Sequence, residues 1–350
     1  MVPTIYALIQ YFIDGNAPDI FYGAEFDYVN WGASGMVQDL YPYMSTDSDF
    51  DIDEISPSIK ELLIKDSHCY QLFSSYSLYG YWGLKQYVGT TNASIYDLIN
   101  DCCKKSSYWG ATCSTDIADG IVRNTIMKDH NCDFTETQLY DAIEFSVNTG
   151  LSPSSASYVR PNDLASVVDG GYLLSLVIIN DIYSYSSRLD NVEICPSYVG
   201  FPSFEGSNKV AIPSGLIAMS SSTDYPEECW EIIKLLLSDE VQRSVAVNQS
   251  IPVKQNILDE LISAVSDPAN DTVKNTPYYS LVRNNEAVPE QMIEEYLAAI
   301  DSVDTLQLYD WGMYEIIYEE MKSYYLTGKP LDKVVESMYD RLNLYVDENY

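Results

Sequence analysis

The segment that most constrains the fold is the opening of the chain, where a short amphipathic run ends in DGNAPDIF at 14–21. Pro18 cannot occupy the interior of a helix or of a central strand, so the apolar run at 20–22 is predicted to be a short strand of a covered sheet. An open α/β sheet binds ligands beyond the carboxyl ends of its strands. The first predicted ligand-binding residues are therefore Tyr22, Glu25 and Phe26.

Further segments follow the opening in a recognisable order. They are GNAPDI at 15–20, DLYPY at 39–43, TDSDFDIDEISPSIKELL at 46–63, VVDGGYLL at 167–174, VGFPSFEG at 199–206, the helical run at 226–255 and the tail at 316–350. In this order they resemble the family 1 extracellular solute-binding proteins of ABC importers. A single match would be weak because helix and turn signals are common, but the shared order covers nearly the whole chain.

The resemblance implies a type II periplasmic-binding-protein fold, with two α/β lobes and a ligand cleft between them. It also implies a function, which is to capture a carbohydrate, expected to be an oligosaccharide, by lobe closure and to deliver it to the permease subunits of an ABC transporter. The expected protein is a monomer that needs no cofactor and is not an enzyme. Its expected location is extracellular, as a cell-surface lipoprotein in the full-length form.

The front of the chain departs from the family pattern. Family members begin with a signal peptide, usually with a lipobox cysteine in Gram-positive bacteria, followed by a strand-helix-strand unit of the first lobe. The start MVPTIYALIQYF has no basic region and no small-residue cleavage site. We therefore expect a first lobe that is truncated at its N-terminus. This leaves an alternative function open, that of a truncated or repurposed surface interaction protein that transports nothing.

The domain organisation is predicted from the same resemblance. Lobe one is expected to take 1–72 and 206–259, and lobe two 80–200 and 261–350, with crossings near 72–80, 200–206 and 259–261. Within lobe two, 138–147 is predicted to be helical and LLSLVIIN at 173–180 to be a strand.

The charge of the chain excludes some partners. The 19 basic and 52 acidic residues give a formal net charge of -33, and a field of that sign repels phosphate backbones and anionic lipids. Nucleic acid is therefore excluded as a partner. Neutral or cationic solutes fit the charge, so a peptide or a polyamine stays open beside a sugar. No apolar run reaches the ~18 residues that a membrane-spanning helix needs.

Metal and catalytic motifs are missing from the sequence. The seven cysteines and two histidines follow no common zinc spacing, although a disulfide between Cys113 and Cys132 stays open. No GxSxG, Walker, GxGxxG or HExxH motif occurs. The acidic loop at 47–54 lacks the glycine and the glutamate of a calcium-binding EF-hand loop. It is interpreted as leading into a helix that Ser56 caps and Pro57 begins.

Aromatic residues give the strongest indication of a ligand. The chain has 31 Tyr, 9 Phe and 5 Trp, and sugar C–H faces stack on such rings while Tyr and Trp donors serve the hydroxyls. Trp230 has helical spacing with Ile233 and Leu237 and is predicted to be core. Trp311 lies where the maltodextrin-binding members resembled here place a sugar-stacking ring. Together with the first loop, the predicted ligand-binding residues are Ser75, Tyr76, Tyr79, Trp82, Asn180, Ser214, Tyr309 and Trp311.

Overall fold

The computed structural model of the protein describes most of the chain. The described residues are 12, 14–23, 27–84, 94–97, 113–128, 132–150, 152, 174–182, 196–248, 250–270, 276–280, 286–307 and 310–349. They form two compact units. Unit 1 comprises Met1–Ser77 and Ile212–Val288, and unit 2 comprises Leu78–Ala211 and Pro289–Tyr350.

Strands and helices mix in both units, as an α/β fold requires. The strands are β1 (Ile20–Tyr22), β2 (Ser75–Leu84), β3 (Leu174–Ile179), β4 (Pro196–Pro202), β5 (Ser207–Asn208), β6 (Val210–Ser214), β7 (Ile217–Met219), β8 (Ile251–Pro252) and β9 (Thr305–Leu306). The α-helices are α1 (Tyr28–Ala33), α2 (Tyr41–Thr46), α3 (Pro57–Leu63), α4 (Ser114–Ile121), α5 (Glu136–Thr149), α6 (Pro226–Lys234), α7 (Asp239–Val247), α8 (Gln255–Ser266), α9 (Glu290–Asp301), α10 (Trp311–Thr327) and α11 (Leu331–Asn349).

In unit 1, short strands pair across distant parts of the sequence. The predicted strand at 20–22 is confirmed as β1, which runs antiparallel to β7 with Phe21 opposite Ala218. β8 pairs antiparallel with the first residues of β2. Helix α3 begins at Pro57 as predicted, but Ser56 makes no side-chain capping bond. The Ser56 hydroxyl is instead buried without a hydrogen-bond partner among the described residues.

In unit 2, the later part of β2 is the centre of a sheet. β2 pairs antiparallel with β3 on one side and with β4 on the other, and β6 pairs parallel with β9. The predicted strand at 173–180 is confirmed as β3, and the predicted helix at 138–147 is confirmed within α5. A capping box of Thr135 and Gln138 starts α5, because each side chain bonds the backbone of the other.

A buried polar network joins the two long helices at the end of the chain. Glu320 on α10 has only 7% of its side chain exposed. It accepts hydrogen bonds from Lys329 Nζ at 2.9 Å, Ser337 Oγ at 2.9 Å and Arg341 Nη1 at 3.0 Å. Because α11 supplies two of these donors, the network fixes α10 against α11.

The chain passes between the units later than the sequence predicted at two of three places. The passages lie at 77/78, 211/212 and 288/289, whereas the predicted segments were 72–80, 200–206 and 259–261. The third passage lies furthest from its predicted position. Helix α8 buries Ile257, Leu258 and Leu261 and packs against α7 and β8, so its apolar face holds the chain in unit 1 beyond residue 261.

Candidate functional site

Unit 2 carries a row of aromatic rings on α10, formed by Trp311, Tyr314 and Tyr318 and called the aromatic stripe below. Residues at i, i+3 and i+7 share one face of a helix. The ring centroids of Trp311 and Tyr314 are 5.4 Å apart, and those of Tyr314 and Tyr318 are 5.9 Å apart. Trp311 is 56% exposed and Tyr318 41% exposed. The stripe therefore offers ring surface to a ligand.

The start of α10 is fixed by the core, although the Trp311 ring is exposed. Asp310 is the N-cap, and its Oδ1 accepts hydrogen bonds from Met313 N at 3.0 Å and from the Tyr345 hydroxyl at 2.9 Å. A Cβ at Gly312 would lie 2.3 Å from the Tyr345 ring, so only glycine allows α11 to approach here. Trp311 is thus presented from a rigid helix end.

A polar cluster from α4 and the turn that follows it lies beside the stripe. Helix α4 packs against α10, and Ser114 Oγ donates to the Tyr325 hydroxyl at 2.7 Å. Asp119 and Arg123 form an ion pair whose side chains are only 7% and 10% exposed. Arg123 Nε donates to Asp119 Oδ1 at 2.6 Å. The pair lies in the last turn of α4 and the π-helical turn Val122–Ile126, a feature that is frequent at functional sites.

The ionisable groups near the stripe influence one another. Burial, and then the charges of Asp116 and Asp119, raise the pKa of Tyr314. Burial also raises the pKa of Tyr79, and the charges of Asp119 and Asp116 raise it further. Both phenols therefore keep their protons at neutral pH and can donate hydrogen bonds as well as accept them. Asp116 has an exposed side chain and adds a carboxylate acceptor near these hydroxyls.

Five of the predicted ligand-binding residues lie at or near the surface, three in unit 2, where Tyr79 is half-buried, and two in unit 1. In unit 2 the structure brings Tyr79 and Trp311 into the neighbourhood just described, and Asn180 is exposed directly after β3. In unit 1 Tyr22 is 68% exposed at the end of β1, and its hydroxyl lies 3.6 Å from where a Cβ of Gly215 would be. The exposed Ser214 ends β6 directly before this glycine, so these two predicted residues lie near one another.

Other predicted residues belong to the core. Ser75 is 5% exposed, and Tyr76 and Trp82 are fully buried. The Trp82 ring stacks on Tyr198 with centroids 4.8 Å apart. These three buried side chains are therefore not part of the proposed site. Glu25, Phe26 and Tyr309 lie outside the described residues.

Tyr314, Tyr318 and Asp116 were not among the residues predicted from the sequence to bind a ligand. The two tyrosines could have been found, because their spacing from Trp311 places all three rings on one helix face. Asp116 carries no such signal, since its proximity to α10 depends on how α4 packs.

The described cysteines and acidic residues form neither a disulfide nor a metal site. Cys69, Cys113, Cys132 and Cys229 are free thiols, so the disulfide left open between Cys113 and Cys132 is not formed. In the described ranges, no group of three His, Cys, Asp or Glu side chains is arranged to hold a metal ion. No helix in the described part of the chain is long and apolar enough to cross a membrane.

By sequence, no protein-family model and no curated protein match the chain. By structure, the chain matches several solved proteins. The sugar-binding protein MalE from Xanthomonas citri has a TM-score of 0.60 at 12% identity, over 97% of this chain and 87% of that one. An extracellular solute-binding protein of family 1 from Alicyclobacillus acidocaldarius has a TM-score of 0.56 at 14% identity, over 97% and 86%.

A third similar structure is a periplasmic oligogalacturonide-binding protein from Yersinia enterocolitica. Its TM-score is 0.60 at 11% identity, over 98% of this chain and 88% of that one. Two designed esterases also match, so the fold alone does not decide between binding and catalysis. At these identities the likeness establishes the fold. The predicted type II periplasmic-binding-protein fold is confirmed, and the chain shares it with family 1 extracellular solute-binding proteins.

Proposed function

We propose that the protein is a solute-binding protein that captures a carbohydrate on the aromatic stripe. The observation that carries the proposal is the exposure of the Trp311 and Tyr318 rings on one helix face, with the half-buried Tyr314 ring between them. Neighbouring exposed apolar side chains can mark a ligand-binding surface. Pyranose C–H faces stack on such rings, and neutral phenols with a carboxylate supply hydrogen-bond partners for sugar hydroxyls.

We further propose that the sugar is an oligosaccharide. From Trp311 to Tyr318 the helix rises about 10 Å, so the three rings can contact successive sugar units rather than one. Delivery to an ABC permease is part of the same proposal, and it is supported by the fold shared with ABC substrate-binding proteins. We expect an extracellular protein that acts as a monomer and binds its solute without changing it.

The proposal is tested first by the melting temperature of the whole chain against a panel of neutral mono- and oligosaccharides. A ligand that binds only the native state raises the melting temperature. One class of oligosaccharide is expected to do so, and its dissociation constant is then measured by calorimetry. If no sugar in the panel shifts the melting temperature at millimolar concentration, the carbohydrate proposal is wrong.

Trp311→Ala is expected to weaken binding of that oligosaccharide by about 1 to 3 kcal/mol, or about 5- to 150-fold in Kd. The reason is the loss of stacking area at the exposed start of α10, and the melting temperature without ligand should stay that of the parent. Tyr225→Ala is the matched control, because Tyr225 is 60% exposed in unit 1. Equal affinities of parent and Trp311→Ala would remove the stripe from the site.

A further inference from the structure

Unit 1 contains a cavity that the proposed sugar site does not use. Its volume is about 270 Å³. One wall is the acidic loop with Asp49, Phe50, Asp51, Glu54 and Ile55, and the other is the segment from Lys234 to Asp239 together with Lys254. We call it the loop pocket. All of its lining lies within unit 1, whereas the aromatic stripe lies in unit 2.

Two lysines hold the acidic loop at both ends and so preform the pocket. Lys234 Nζ lies 2.8 Å from Asp47 Oδ2, which also accepts a hydrogen bond from Trp230 Nε1 at 2.8 Å. Lys254 Nζ lies 2.5 Å from both Glu54 Oε2 and Asp239 Oδ1, and its side chain is only 9% exposed. A pocket between two fixed walls needs little ordering when a ligand enters.

The floor of the loop pocket is apolar. Ile55 is 1% and Leu237 is 4% exposed. The Phe50 ring meets the Trp230 ring edge-on with centroids 5.3 Å apart. Leu235, at 57% exposure, adds apolar surface to the lining. An organic ligand could therefore bury an aryl or alkyl group here.

The polar lining favours a cation. Four carboxylates and two ammonium groups line the pocket. Lys254 is paired with Glu54 and Asp239, and Lys234 with Asp47 and Glu231. Asp49 and Asp51 have exposed side chains and form no ion pair with any residue in the described part of the chain. These two carboxylates on one wall leave an excess of negative charge above the apolar floor.

We propose that the loop pocket binds an organic cation, an amine or guanidine carried on an apolar body. The cation lies at Asp49 and Asp51, and the apolar body lies on Phe50, Ile55 and Leu237. The site is separate from the aromatic stripe, so it does not depend on the sugar proposal.

The test uses three probes of similar size with the whole chain, namely the cation 2-phenylethylamine, the neutral 2-phenylethanol and the anion phenylacetate, titrated by calorimetry and by NMR. The amine is expected to bind tightest and phenylacetate weakest. Asp49→Asn with Asp51→Asn should weaken amine binding about tenfold, because two exposed ion pairs are lost. Asn at position 51 can still accept the bond that Asp51 Oδ1 accepts from Asp53 N at 2.9 Å.

The matched control is Glu294→Gln with Asp301→Asn, which removes two exposed acids of α9 in unit 2 and should leave amine binding unchanged. If the double variant of the loop melts at a lower temperature than the parent, two other measurements replace it. One is amine binding by the single variant Asp49→Asn, and the other is a set of NOEs from the amine's phenyl protons to the Phe50 ring. Equal binding of the three probes would overturn the proposal. So would an unchanged amine affinity in the loop variants, or NOEs that place the probe outside the pocket.

Discussion

Replacing Trp230 by alanine is expected to lower the free energy of unfolding by about 3 to 5 kcal/mol, the range for a large buried aromatic side chain. Trp230 on α6 is 3% exposed. Its ring contacts those of Tyr43 and Phe50, with centroid distances of 6.0 and 5.3 Å. The change leaves a cavity and also removes the indole donor from Asp47. The loss of stability therefore combines the lost burial of the indole, the cost of the cavity and a lost hydrogen bond.

The measurement is urea unfolding followed by circular dichroism, with Ile232→Ala as the control on the same helix. Ile232 is 54% exposed, so its truncation should change the free energy of unfolding by less than about 0.5 kcal/mol. If Trp230→Ala were as stable as the parent, the assignment of Trp230 to the core would be wrong. Because Phe50 rests on this ring, the same variant should also disturb the loop pocket.

The parts of the fold that local patterns determine were predictable. The short strand after Pro18, the strand β3, the helix α5 and the burial of Trp230 follow from apolar runs, periodicity and proline geometry. Such signals come from neighbours in sequence, and the structure confirms them because tertiary packing acts in the same direction there.

The parts that depend on distant packing were not predictable. Ser75, Tyr76 and Trp82 were expected at a ligand because the segment resembles a crossing between lobes. They lie on β2, which pairs with β3, β4 and β8, and this pairing and packing bury them. The acidic loop was interpreted as a helix cap, but its ends are held by Lys234 and Lys254, whose proximity cannot be read from local sequence.

The candidate site also has one part that local sequence determines and one part that distant packing determines. The spacing of Trp311, Tyr314 and Tyr318 is a local helical pattern that the sequence contains. The polar cluster beside it comes from α4, far away in sequence, and is positioned by contacts such as that between Ser114 and Tyr325. The stacking rings of the proposed sugar site can therefore be predicted from the sequence more readily than its hydrogen-bonding groups.

Asp119→Ala is expected to lower the free energy of unfolding by about 3 to 5 kcal/mol, because removing one partner of a buried ion pair leaves the other charge poorly compensated. The Arg123 guanidinium is only 10% exposed and loses the carboxylate that accepts from its Nε and Nη2. Urea unfolding measures the loss. A variant as stable as the parent would show that Arg123 is compensated by its other surroundings.

Asp116→Asn is the matched control one turn earlier on α4, and its effect should have the opposite sign. The Asp116 carboxyl is exposed but is partly desolvated by neighbouring protein atoms, and this, followed by the charge of Asp119, raises its pKa. Folding therefore favours its protonated form. Its contribution to stability is full below the unfolded pKa of about 3.9 and is lost as the pH rises through the raised folded value. At pH 7 the asparagine variant should therefore equal or exceed the parent in stability, and this advantage should vanish below about pH 4. If Asp116→Asn were destabilising at pH 7, the carboxylate would be part of the structural ion-pair network rather than an acceptor available to a ligand.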